Sequence, residues 1–210
     1  ELDTVPPSIG HLCLYAGLEG AARELGLTGT NLWIYPSEDH DANTRLFLSD
    51  PAAPLPYAFI SFPSAKDPEF ERRHPGRSTV EVVTLASYSW FQRWEHTQWM
   101  KRGRDYEAFK AAWLSRLLEV LYRRVPAARG RVLHAELSTP LSTRHCANQP
   151  RGEMYGLAHT PQRFRLRGLG PRTPVRNLYI AGQDVCTCGI TGAAIGGVLA
   201  ASAVLRRNLL

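Results

Sequence analysis

Asn177-Leu178-Tyr179-Ile180-Ala181-Gly182-Gln183-Asp184, leading into Gly189-Ile190-Thr191-Gly192-Ala193-Ala194-Ile195-Gly196-Gly197, is the stretch on which the reading of this chain turns. Leu178 and Ile180 have the aliphatic character of a short buried strand, Gly182 lets the backbone turn where a Cβ would obstruct it, and Asp184 stands alone in the turn. From Thr191 to Leu205 the residues are small or aliphatic on every side, and Arg206-Arg207-Asn208 follow. Such a helix is expected to be buried all round and to close with cations at its negative end. A buried helix start leaves N–H groups that favour partial negative charge on a ligand. From the residues alone two readings stand. One is a cofactor-handling strand-turn-helix; the other is a tightly packed segment without ligand, in which Gly192, Gly196 and Gly197 permit close backbone approach.

Working outward, the first hundred residues alternate strand signals with proline breaks. Ile9 to Tyr15, Leu32 to Tyr35 and Leu55 to Phe62 read as strands, kept short by Pro51, Pro54, Pro56 and Pro63. Ser78 to Ala86 is rich in Val and Thr, and Arg131 to Leu137 places Leu133, Ala135 and Leu137 on one face, predicting two more. With no crossover helices between most of them, the sheet is expected to be mixed or antiparallel. The spacing of Tyr106, Phe109, Trp113, Leu117 and Val120 predicts a helix from Asp105, read as its N-cap, to Val125, with Arg123-Arg124 before Pro126. Trp90-Phe91, Trp94 and Trp99 form an aromatic loop, read either as pinned to the core or as a lip in peripheral contact with a membrane.

At 210 residues and 44% apolar, the chain can bury a core. Its net charge of +6 and pI near 9.4 would suit an anionic partner. The 25 basic residues are scattered, however, and no basic run interleaved with aromatics appears, so no nucleic-acid partner is expected. Four cysteines are too few and irregular for a disulfide scaffold, which predicts a reducing, cytoplasmic setting. Cys186-Thr187-Cys188 is a C-x-C pair with no second half, so no metal site is expected.

The segment Asn177 to Asn208 resembles the C-terminal flavin-binding signature of the amine-oxidase and phytoene-desaturase superfamily. Leu-Tyr-Ile-Ala-Gly-Gln-Asp followed by Thr-Cys-Gly and a Gly/Ala-rich helix is similar to its carotenoid isomerase and retinol saturase branch. Ser138-Thr139-Pro140-Leu141-Ser142-Thr143-Arg144 and Arg151-Gly152-Glu153-Met154-Tyr155-Gly156-Leu157 match that branch in order and spacing. The resemblance implies an FAD-dependent oxidoreductase acting on a long apolar polyene such as a carotenoid or retinoid. It implies an α/β (α+β) fold, with a mixed-sheet substrate domain over residues 1–140 and the C-terminal strand-helix of a Rossmann-like FAD-binding domain over 141–210. Under that resemblance FAD is held by Gly182, Asp184, Gly189, Thr191, Gly192 and Ala193, with Asp184 accepting bonds around the ribityl chain. The N–H groups of Thr191, Gly192 and Ala193 would face the flavin carbonyl edge. Tyr155 and Gly156 would line the substrate channel, and no catalytic acid or base is assigned. His159, Arg144 and Arg151 are weaker candidates.

The family also carries an N-terminal glycine-rich FAD grip. The nearest stretch here, Tyr15-Ala16-Gly17-Leu18-Glu19-Gly20, has Tyr15 where the first glycine belongs. The chain is therefore expected to be a fragment whose N-terminal half, a partner in the complete site, is missing, and which is inactive alone. Two alternatives are a flavin amine oxidase, whose aromatic cage and Gly-x-Glu-Thr turn are not seen, and a flavin-free scaffold on a degenerate copy of the fold.

Overall fold

Strict alternation of inward and outward residues makes Gly10–Glu19 a strand, β1, with Leu12, Leu14, Ala16 and Leu18 turned to the core. The computed structural model describes residues 4–166 and 168–210. After β1 come β2 (Leu32–Ile34), α1 (His40–Ser49), β3 (Ala58–Ser61), the single turns α2 (Pro63–Lys66) and α3 (Phe70–Arg73), and β4 (Arg77–Ala86). Then follow α4 (Arg104–Arg124), β5 (Val132–Ser138), α5 (Pro140–Ala147), the single turn α6 (Pro161–Phe164) and α7 (Gly189–Leu205). The result is a mixed α/β fold around one five-stranded sheet, ordered β2-β3-β4-β1-β5, in which each neighbouring pair is antiparallel.

One sheet face is buried under α4. Tyr106, Trp113, Leu117 and Leu121 of α4 meet Val80, Val82, Ile60, Leu14 and Leu137 in a single core. The aromatic loop joins this core. Trp90 stacks on Trp113 at 5.7 Å, Phe91 is fully buried, and Trp94 packs edge-on to Tyr106 at 5.3 Å. Three of its four rings thus point inward, which is the pinned-loop reading; Trp99 stacks on His145 at 4.4 Å. No described helix is long and apolar enough to cross a membrane.

Four local expectations are corrected. Leu133 is 55% exposed, because the register slips between Gly17 and Leu18: His134 faces Gly17 and Val132 faces Leu18, so Leu133 is left in a bulge and Val132 takes the inward position. Asp105 does not cap α4. Gly103, at φ +93°, holds the cap position, and the Asp105 carboxylate accepts the Trp94 indole N–H at 2.8 Å. β1 runs on to Glu19, past the expected end of the strand at Tyr15.

The fourth concerns the C-terminal segment. Leu178–Ile180 forms no ladder beyond one isolated bridge, Arg172 with Tyr179, and its side chains are exposed. Its main chain instead folds back locally, Ile180 N–H donating to Pro171 O at 2.9 Å and Leu178 N–H to Val175 O at 3.1 Å. The helix that follows begins at Gly189 and is not buried all round. Gly192, Gly196, Ala200 and Ala203 form its buried stripe, while Ile190 is 92% exposed and Val204 and Leu205 are exposed too. Among the described residues only one face of α7 has protein against it, so its apolar composition outruns its burial.

Candidate functional site

Residues 153–158 are tied to the strand leading into β1. Met154 N–H donates to Ile9 O at 3.0 Å, Ser8 N–H to Gly156 O at 2.7 Å, and Ala158 N–H to Pro6 O at 2.8 Å. This fixes Gly156 against the acidic turn. Its φ is +62°, and a Cβ there would stand 2.5 Å from both Asp184 carboxylate oxygens, so only glycine lets the loop and the acid approach this closely. Leu157 N–H donates to Asp184 Oδ1 at 2.9 Å.

Arg163, at 1% exposure, clasps loop to turn. Its guanidinium donates to Leu157 O and to Gln183 O, both at 2.8 Å, and lies 3.8 Å from Asp184 Oδ1. The His159 ring contacts the same guanidinium at about 3.0 Å. The turn α6 exists to place this side chain: Pro161 starts it, and the Thr160 hydroxyl caps it by accepting Arg163 N–H at 3.3 Å. Sequence reading missed Arg163. The Thr160-Pro161 start was legible, but the depth of the arginine was not.

The turn is pressed onto α7. A Cβ on Gly192 would come within 1.8 Å of Thr187 O, and one on Gly196 within 2.1 Å of Gly182 O. The expected residues Gly156, Gly182, Asp184, Gly189, Thr191, Gly192 and Ala193 therefore converge on one loop-turn-helix junction. Gly192 and Gly196 serve close packing within the chain, whereas Gly197 has open space at its Cβ. No side chain caps the α7 start, and Thr191 beside it is exposed. Among the described residues no cluster of His, Cys, Asp and Glu could hold a metal. Arg144 lies apart, bonded to Tyr88 and Glu95.

Tyr155 links this junction to the sheet face away from α4. On that face Trp33, Phe59, Val83 and Cys13 stand in one register row across four strands. Trp33, 58% exposed, packs on Phe59 at 4.8 Å and Tyr57 at 5.7 Å. Burial pushes the Tyr57 phenol up to about 12, and the Tyr155 and Tyr35 phenols nearby push the same way. Burial likewise lifts the Cys13 thiol to about 11, so this cysteine is a neutral wall and not a nucleophile. The face can take a flat apolar molecule.

Two imidazoles are biased toward the neutral form. His11 is lowered by burial, its Nδ1 having no hydrogen-bond partner; His159 is lowered by burial and then by the Arg163 charge, against a smaller opposite pull from Asp184. An imidazole with a lowered folded pKa is protonated first in the unfolded chain. Stability is then full above the ordinary value of 6.5 and is lost as pH falls through it. Thermal melts should show a Tm falling between pH 7.5 and 5.5, with a shallower fall in His159→Gln; equal slopes would clear His159.

No protein-family model matches the chain. Over 216 residues, 100% of its length, it is 37% identical to a protein of Homo sapiens named all-trans-retinol 13,14-reductase, covering 35% of that protein. The chain is similar to all-trans-retinol 13,14-reductases. A Rattus norvegicus protein of that name is 36% identical, with 100% of this chain and 36% of the relative aligned. A Danio rerio relative named inactive all-trans-retinol 13,14-reductase is 32% identical over 224 residues, 99% of this chain and 35% of the relative. The chain thus spans about a third of the length of these curated relatives. A relative named inactive is thus among the similar proteins, so similarity alone does not decide activity.

Proposed function

We propose that this chain is part of an FAD-dependent oxidoreductase that reduces a double bond of a long apolar polyene, of the retinoid kind. The observation that carries the reading is the aromatic sheet face running to Tyr155, beside the loop-turn-helix junction at Asp184. The names of the similar proteins supply the retinoid class. Residues 1–140 would carry the substrate face and 141–210 the cofactor side.

The donor and acceptor set fits a flavin. Asp184 spends Oδ1 on Leu157 N–H, and its side chain is 39% exposed, leaving acceptor capacity for ribityl hydroxyls. The uncapped start of α7 offers main-chain donors at Gly189, Ile190 and Thr191 toward a carbonyl edge that gains negative charge, whereas the expected N–H groups of Gly192 and Ala193 are spent within the helix. Bound there, FAD would supply the hydride chemistry. Trp33, Phe59 and Tyr57 would hold the polyene flat and exclude water, and Tyr155 would line the passage from sheet to turn. A second reading, a flavin-free or inactive copy of the fold, draws on the relative named inactive.

Asp184→Ala in the complete parent protein should weaken FAD binding by roughly 1 to 3 kcal/mol, about five- to 150-fold in affinity. Asp184→Asn, which still accepts Leu157 N–H, separates lost charge from a loosened loop. Fluorescence titration of apoprotein measures both. Unchanged affinity in Asp184→Ala would move the ribityl contact elsewhere, and a parent protein that takes up no flavin at all would favour the scaffold reading.

A further inference from the structure

A cavity lies on the core side of β2 and β3, against α4. It has a volume of about 730 Å³, between the β2–β3 edge, the proline loop before β3 and the second half of α4. Ile34, Leu55 and Val120 form apolar wall, and Arg116, Arg123 and Arg124 bring three cations. Ile34 pairs with Ala58, which also lines the cavity, and the alternation of the strands places both opposite to Trp33 and Phe59. Tyr35 also lines the cavity and stacks on Trp33 at 6.4 Å, so it stands between the cavity and the aromatic face.

The charge is only partly answered: the Asp50 carboxylate, outside the lining, acts on Arg116. No carboxylate lines the cavity, and none of the three arginines forms an ion pair among the described residues. The nearest acid on α4, Glu119, is paired with Arg129 at 2.9 Å. Cations in the last turn of a helix ordinarily answer its dipole, which accounts for Arg123 and Arg124. Arg116 lies two turns earlier and is not accounted for that way. It is held in place by donating to Pro51 O and Ala53 O, with its guanidinium 4.9 Å from the centre of the Trp113 ring. Residues 116, 120, 123 and 124 follow helical spacing, so one apolar side chain and three cations share a face.

We propose that this cavity is a second binding site, for a long-chain carboxylate whose tail lies on Ile34, Leu55 and Val120 and whose anionic head meets the arginines. Its volume is within the range of small-molecule sites, and guanidinium is the cation best shaped to a carboxylate. A simple phosphate would leave the apolar walls wet; an alcohol of the same length would leave the charge unanswered.

The test is isothermal titration of the purified protein with monomeric dodecanoate, with dodecanol and acetate as comparators. Saturable binding of dodecanoate is expected, weaker by about tenfold or more for either comparator and for the double variant Arg123→Ala/Arg124→Ala, the scale of one lost charge-assisted contact. Val120→Trp keeps all three cations and fills the cavity, so it should also abolish binding; thermal melts confirm that both variants fold. Asp184→Ala should leave dodecanoate affinity unchanged, which separates this site from the flavin reading. The proposal fails if dodecanol binds equally, if neither cavity variant weakens dodecanoate, or if the protein sediments with anionic phospholipid vesicles yet binds no monomeric dodecanoate. That last outcome would make the arginines a membrane-facing surface.

Discussion

Gly192→Ala should unfold the junction of turn and α7, lowering stability by more than about 3 kcal/mol, the upper end of ordinary overpacking. The added Cβ would sit 1.8 Å from Thr187 O and 2.5 Å from its carbonyl carbon, and main chain in a turn cannot step aside as a flexible side chain can. Five residues on, off the packed face, Gly197→Ala meets nothing within 4 Å and should stabilise the helix by roughly 0.5 to 1 kcal/mol. The contrast is read by thermal melts and by proteolysis between residues 182 and 190. Similar melts for the two variants would mean that Thr187 does not lie against α7. The result also bears on chemistry. A side chain at residue 192 would strike the chain's own turn first, so a shift in flavin potential in such a variant reports a broken turn and not a blocked ring. Main-chain donors at Ile190 and Thr191, in the first turn and outside the helix ladder, are the cleaner ones to test.

Arg163→Ala should cost roughly 3 to 5 kcal/mol, the range for removing one partner from a buried charged cluster. The larger share comes from Leu157 O and Gln183 O, each accepting at 2.8 Å, which would be left part-buried without this donor. The contact to Asp184 is 3.8 Å long, and that side chain is 39% exposed, so solvent screening discounts it. Lysine cannot donate in both directions at once from a fixed plane, and Arg163→Lys should recover only part of the loss. Hydrogen exchange supplies the decisive readout. Amides of 153–158 and 182–185 should lose protection together while those of β1 and β4 keep theirs. Loss confined to one of the two segments would show that Arg163 does not join them.

What could be read along the chain follows from how far apart the deciding residues lie. Period-two alternation in β1 and β4, and the spacing of Tyr106, Trp113 and Leu117 in α4, are local patterns set by backbone geometry, and the structure keeps them. The bulge that turns out Leu133 depends on the pairing of β5 with a strand more than a hundred residues away. No pattern inside β5 records it.

The same distinction runs through the site. By itself the sequence singled out Gly182, Asp184 and Gly192, because a glycine or a lone acid beside apolar runs is informative wherever the partner turns out to be; Gly156 entered only through the family resemblance, as a channel residue. Only the tertiary structure decided what they touch: Gly156 makes room for the Asp184 carboxylate, Gly192 for Thr187 O. It alone buried Arg163, since its partners are carbonyls, which every residue carries and no sequence distinguishes. It also decided that α7 shows an apolar face and that Leu178–Ile180 bonds to its own neighbours. Composition states what a segment can bury, but burial itself requires another surface to arrive.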